Sequence, residues 1–143
     1  MRTKLAVVVG GVRLLLAAAP VVAHHAFSAE FDADKPIKLR GTVTKMEWIN
    51  PHAWIHIDVK EPDGKVTSWM IEGGPPTGLL RRGFTKNSLQ PGTDVIVDGF
   101  QAKGGAKRAN GMDITFADGR RLFLGSSGTG APEDGRDPTA KKR

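Results

Sequence analysis

The amino-acid sequence predicts an all-β domain, a small five-stranded OB-like barrel with one short helix between its third and fourth strands. Three observations favour this class. Apolar residues recur with a period of two along most of the chain, turn residues separate these stretches, and a short helix-like piece interrupts the series after the third stretch. Long helices do not alternate with strands, which excludes a parallel α/β sheet. A small β-sandwich is the alternative architecture.

The expected barrel domain covers residues 37–124 and follows an N-terminal segment over 24–36. Its first strand begins with the clean alternation from Ile37 to Val43 and continues to Ile49. The alternation slips in phase between Val43 and Met46, which indicates a bulge in this strand.

The second and third strands form a predicted hairpin. Asn50-Pro51 ends the first strand, and the second strand runs from His52 to Lys60. Glu61-Pro62-Asp63-Gly64 is a strong turn signal, and the third strand runs from Lys65 to about Glu72.

The second half of the domain contains the helix and two further strands. A proline near the start and a glycine after the end frame the short helix over Thr77–Gly83. The fourth strand runs from Thr93 to Ala102, a Gly- and Lys-rich loop spans Lys103–Asn110, and the fifth strand covers Met112–Phe116. Residues 125–143 have the composition of a disordered tail.

The start of the chain has the features of a secretory leader. A basic start and an apolar run precede Val21-Val22-Ala23, three small residues at the positions that a signal peptidase reads. We therefore expect a signal peptide over 1–23, cleavage between Ala23 and His24, and a periplasmic or secreted protein that is not an integral membrane protein after cleavage.

Composition narrows the function classes further. The chain has 143 residues and no cysteine, which excludes disulfides, thiolate metal ligands and a cysteine nucleophile. The leader contains three of the 21 basic residues. The mature chain therefore has 18 basic and 15 acidic residues, and its net charge falls from +6 to +3. So small an excess of positive charge does not predict a nucleic-acid partner.

The second strand contains the most informative residues. Alternation assigns one set of side chains to the barrel interior: Ala53, Ile55, Ile57 and Val59. It assigns a second set to the outer face: His52, Trp54, His56 and Asp58. Because residues two apart lie roughly 6.6–6.8 Å apart along a strand, His52 and His56 are too distant to chelate one ion by themselves.

A metal site becomes possible if the mature protein begins at His24. The α-amine and imidazole of His24 can chelate one ion, His25 offers another imidazole, and His52 or His56 closes the site with Trp54 shielding it. Nitrogen ligands of this kind suit Cu(II), so copper is the expected metal. The competing interpretation is that all four histidines are ordinary solvated or hydrogen-bonded side chains.

A second hypothesis needs no metal. Trp54, Asp58 and the rest of the outer face, together with the basic pair Arg81 and Arg82, could bind a ligand or an envelope protein. Catalysis is not expected, because no glycine-flanked serine elbow and no pairing of a nucleophile with a base can be recognised.

Four stretches resemble a known family: "AHHAFSAEFD", "GTVTKMEWINPHAWIHIDV", "GLLRRGFTKNSLQPGTDVIVDGFQAK" and "FADGRRLF". The family consists of small exported bacterial proteins classed as a domain of unknown function. The resemblance runs from His24 to about Gly125, and the segments around Trp48–His52 and Arg81–Gly83 contribute most to it. It implies an exported single-domain β protein and supplies no catalytic or ligand residues.

Overall fold

The computed structural model describes residues 27–125. The leader over 1–23, His24, His25 and all but the first residue of the predicted tail lie outside this range. Residues 27–30 are helical, and a 3-10 turn covers Lys103–Gly105. The other elements are β1 (Phe31–Glu47), β2 (Trp54–Lys60), β3 (Val66–Glu72), α1 (Pro76–Arg81), β4 (Asp94–Ala102), β5 (Arg108–Phe116) and β6 (Arg121–Phe123).

Five strands close into a ring. Antiparallel pairs join β1 to β2, β2 to β3, β1 to β4 and β4 to β5. A parallel pairing between Met70–Glu72 of β3 and Arg108–Asn110 of β5 completes the ring. With α1 between β3 and β4, this strand order confirms the predicted all-β class and OB-like arrangement.

The ring encloses an apolar core, as the alternation in β2 predicts. Ile55 and Ile57 are fully buried, and Trp69 of β3 is 5 % exposed. The connection from β3 to β4 adds further buried side chains, and Phe84 stacks parallel to Trp48 with ring centroids 6.5 Å apart. The register shift in β1 between Val43 and Lys45 confirms the predicted bulge.

Strand β1 begins at Phe31, before the start at Ile37 that alternation indicates. Phe27 and Phe31 are buried, and the ring of Phe27 lies 5.7 Å from those of Phe31 and Phe100. Ala102 and Met112 complete this second, smaller core. The sequence pattern does not predict this extension, because the run over 32–36 is polar. Its place in the sheet depends on packing against Phe100, which is far along the chain.

Strand β5 also begins earlier than expected, at Arg108 instead of Met112. The first three residues of β5 pair with β3, and Asp113–Thr115 pair with β6, a strand that the sequence pattern does not predict. The same edge of β5 is thus shared between two partners. Residues 108–110 lack apolar alternation, so only the closure of the ring makes them a strand.

Two glycines allow the strands to approach each other at this closure. A Cβ at Gly111 would lie 2.8 Å from Cγ2 of Ile71 and 3.2 Å from the carbonyl oxygen of Glu72. A Cβ at Gly99 of β4, next to the bulge at Met112 of β5, would collide with the carbonyl oxygen of Asn110. The seam between β3 and β5 therefore has no room for a larger residue at Gly111, and the pairing of β4 with β5 has none at Gly99.

We expect Gly111→Ala to lower the free energy of unfolding by about 1–3 kcal/mol, because it overpacks this seam. Gly78→Ala in α1 is the matched control. Its Cβ would meet nothing closer than Cγ of Pro75 at 3.6 Å, and alanine favours a helix by up to about 1 kcal/mol over glycine. Urea denaturation measures both, and equal losses would contradict the assignment of Gly111 to a tight contact.

Candidate functional site

Strand β2 begins at Trp54, so His52, the predicted first residue of this strand, lies in the segment just before it. Trp54, His56 and Asp58 lie on the outer face of β2, as the sequence predicts. His52, Trp54, His56 and Asp58 are all half-buried, while the residues between them are buried in the core. The register of the sheet decides their neighbours. Trp54 lies opposite Glu72 of β3, and Glu72 lies opposite Asn110 of β5.

A polar cluster of His52, Glu72 and Asn110 lies at the seam between β3 and β5. Nδ1 of His52 is 3.6 Å from Oε1 of Glu72 and 3.3 Å from the carbonyl oxygen of Gly73. Nδ2 of Asn110 donates to Oε1 of Glu72 over 3.5 Å. Glu72 is 7 % exposed and Asn110 3 %, so the cluster places a carboxyl group and an amide in the protein interior.

Burial shifts the pKa of the carboxyl group in this cluster. Desolvation raises the pKa of Glu72 above its ordinary range, and the nearby Glu30 raises it further. His52, Arg108 and the hydrogen bond from Asn110 oppose this shift without cancelling it. Oδ1 of Asn110 has no hydrogen-bond partner within residues 27–125. The cluster thus leaves buried polar groups incompletely satisfied.

Residues 27–30, the N-terminal turn, are held beside this cluster. Arg108 forms an ion pair with Glu30, and its guanidinium carbon lies 4.9 Å above the ring of Trp54. Lys103 donates a hydrogen bond to the carbonyl oxygen of Ser28. Because Arg108 also influences Glu72, one side chain connects the turn, Trp54 and the polar cluster.

His56 belongs to a separate group further along the strand. Its Nε2 lies 3.4 Å from Oε2 of Glu47, and Lys45 also pairs with Glu47. The hydrogen bond from Lys45 and then the nearby imidazole of His56 lower the pKa of Glu47, the opposite of the effect on Glu72. The structure therefore pairs each imidazole with a different carboxyl group and does not bring His52 and His56 together.

The residues predicted for a metal-free binding surface have separate contacts. Asp58 accepts a hydrogen bond of 2.6 Å from Oγ of Ser68. Arg82 donates to the carbonyl oxygen of Gly125 over 2.7 Å and lies 4.9 Å above the ring of Phe123, whereas Arg81 is exposed in the last turn of α1.

The cation on Trp54 is Arg108, which sequence reasoning assigned to a loop. Glu30, Glu72 and Asn110 were missed as well. The one available signal was an acidic residue directly after the apolar run Trp69-Met70-Ile71 at the end of a strand, and it pointed to Glu72. Within residues 27–125, no three histidine, aspartate or glutamate side chains lie close enough together to hold a metal ion.

These features define a small OB-like β-barrel domain with a buried carboxyl–imidazole–amide cluster at its closing seam. The chain belongs to DUF6152, a family of unknown function, whose sequence profile matches residues 12–112. This confirms the resemblance to a domain of unknown function. No curated protein matches the chain. In the described part of the chain, no helix is both long and apolar enough to span a membrane.

The raised pKa of Glu72 has a consequence for stability. The folded protein holds this proton more tightly than the unfolded chain does, so the contribution of Glu72 is most favourable at acid pH and is lost as the pH rises through the raised pKa. Glu72→Gln removes this dependence. With a chelator present, we expect Glu72→Gln to melt above the wild type at neutral pH, with a gap that closes toward the ordinary glutamate pKa.

Glu47→Gln is the control for this measurement. Because the pKa of Glu47 is lowered, its ionised form is favoured in the folded protein, and the substitution brings no gain at neutral pH. Thermal unfolding followed by circular dichroism at several pH values compares the three proteins. A wild type as stable as Glu72→Gln at neutral pH would contradict the burial cost of this carboxylate.

Proposed function

We propose that this chain is an exported, non-catalytic module that binds or delivers a transition-metal ion, and that the ion is Cu(II). His24, as the first residue after cleavage, provides its α-amine and imidazole, and His25 is an alternate ligand. His52 closes the site. An amine with imidazole nitrogens is a ligand set that Cu(II) prefers, and the chain contains no cysteine that would favour a softer ion.

The observation that supports this proposal is the docking of the N-terminal turn beside His52. Phe27 is packed in the smaller core, and Glu30 is paired with Arg108 at the polar cluster. Three residue steps separate His24 from Phe27, which is a reach of at most about 11 Å. A terminus that begins at His24 is therefore tethered to the part of the barrel that contains His52.

The same geometry favours His52 over His56 as the closing ligand. The two residues are four positions apart in extended chain, which is roughly 13 Å. His52 belongs to the same cluster as Glu72, whose pKa is affected by Glu30 and Arg108. His56 instead lies beside Glu47. Trp54 and Arg108 cover the adjacent surface.

The alternative proposal is a module that binds a ligand or an envelope protein on the outer face of β2 without metal. Arg108 on the ring of Trp54 favours it, because a cation beside an aromatic ring is common at recognition surfaces. In this case, binding ignores chelators and weakens with added salt. Exposed Arg81 is then the accessible member of the Arg81–Arg82 pair.

The deciding experiment is intact-mass spectrometry of the protein recovered from the periplasm or the medium, with and without one equivalent of Cu(II). We expect a mature chain that begins at His24 and retains one copper ion. His24→Ala and His52→Ala should lose the copper, and His56→Ala should keep it. Binding should also weaken at acid pH, because imidazoles and the amine protonate.

A chain with one extra residue before His24 is the matched control, because it keeps every side chain and removes only the position of the free amine. Equal copper retention by this extended chain would contradict the proposed chelate. A mature protein with a different first residue and no retained copper would favour the metal-free module instead.

A further inference from the structure

The surroundings of His52 decide which of its two ring nitrogens carries the proton. Nδ1 lies 3.3 Å from the carbonyl oxygen of Gly73 and 3.6 Å from Oε1 of Glu72. A carbonyl oxygen only accepts hydrogen bonds, so Nδ1 must be the donor. In the neutral ring, Nε2 then has the lone pair with which an imidazole binds a metal ion.

We propose that Glu72 is the positioning residue of the metal site: the carbonyl of Gly73 accepts the hydrogen bond from Nδ1 of His52, the carboxyl group of Glu72, 3.6 Å away, favours the proton on that nitrogen, and Nε2 is left to bind the ion. Histidine ligands of metals commonly donate their other N–H to a carboxylate or a carbonyl, which orients the ring and increases its basicity. This inference rests on the proposed function for the identity of the ion. The position of the proton can be measured without metal.

The placement of Glu72 fits this role. Its carboxyl group is buried at 7 % exposure, and Nδ2 of Asn110 holds Oε1 from the opposite side, while the side chain of His52 is 25 % exposed. The carboxyl group is therefore fixed in the interior, and the ring that it orients reaches the surface. The unpartnered Oδ1 of Asn110 adds a buried acceptor to the same cluster.

The charges around the cluster leave Glu72 available to His52. Arg108, the nearest guanidinium that influences Glu72, forms its ion pair with Glu30.

His56 of β2 provides an internal comparison. Its Nε2 lies 3.4 Å from Oε2 of Glu47 and has no hydrogen-bond partner among residues 27–125, whereas Nδ1 of His52 faces the carbonyl oxygen of Gly73. Glu47 is also shared with Lys45 and is 27 % exposed at its side chain. The two imidazole–carboxyl pairs thus differ in the hydrogen bonding of the ring and in the burial of the carboxyl group, which makes Glu47 a control for Glu72.

The first test is nuclear magnetic resonance of the metal-free mature protein, with long-range proton–nitrogen correlations of the histidine rings at about pH 8, where ordinary imidazoles are neutral. We expect the proton of His52 on Nδ1, with His52→Ala used for assignment. In Glu72→Ala, the His52 ring should shift toward a mixture of tautomers. A proton on Nε2 of His52 in the wild type, or a His52 spectrum unchanged in Glu72→Ala, would overturn the proposal.

The second test is competitive titration of Cu(II) into the same proteins. We expect Glu72→Ala to weaken binding about 10- to 100-fold and the isosteric Glu72→Gln, which keeps an acceptor oxygen, to weaken it less. Glu47→Ala should stay within about twofold of the wild type. Thermal unfolding checks that each variant is folded, and Glu72→Gln replaces Glu72→Ala if the latter is not.

The outcomes separate the two proposals. Copper binding that is intact in Glu72→Ala and Glu72→Gln would overturn the role of Glu72 and leave the metal-binding function standing. A wild type that holds no copper would overturn the function, and the nuclear magnetic resonance result would still decide whether Glu72 orients His52.

Discussion

The parallel pairing of β3 with β5 is the contact on which the rest of the structure depends. It closes a ring that otherwise consists only of antiparallel neighbours, and it involves three residue pairs. Gly111 makes the close approach possible because a side chain there would meet Ile71. The pairing also puts Glu72 directly opposite Asn110, so the contact that closes the barrel also brings the polar cluster together.

That closure places groups in the interior that do not favour folding. A buried carboxylate loses hydration, which is why the pKa of Glu72 is raised, and an amide oxygen of Asn110 lacks a partner in the described chain. Apolar residues at these two positions would pack without either cost. Functional sites often contain groups that lower the stability of the fold. Here the two destabilising groups lie beside the imidazole of His52, which reaches the surface.

The N-terminal turn is held next to this seam. Phe27 and Phe31 bury their rings in a small core of their own, and Arg108 and Lys103 hold the turn through polar contacts. The extension of β1 before Ile37 is thus part of the folded domain.

The sequence by itself determined the all-β class, the short helix, the bulge in β1 and the two faces of β2. Each of these follows from a local pattern of apolar and turn residues, which does not depend on distant parts of the chain. The tertiary structure alone decided that Arg108–Asn110 form a strand, that Glu72 is buried beside His52, and that Arg108 covers Trp54. Those contacts join residues some 20 to 80 positions apart, and their register depends on the closed ring, so no local period records them.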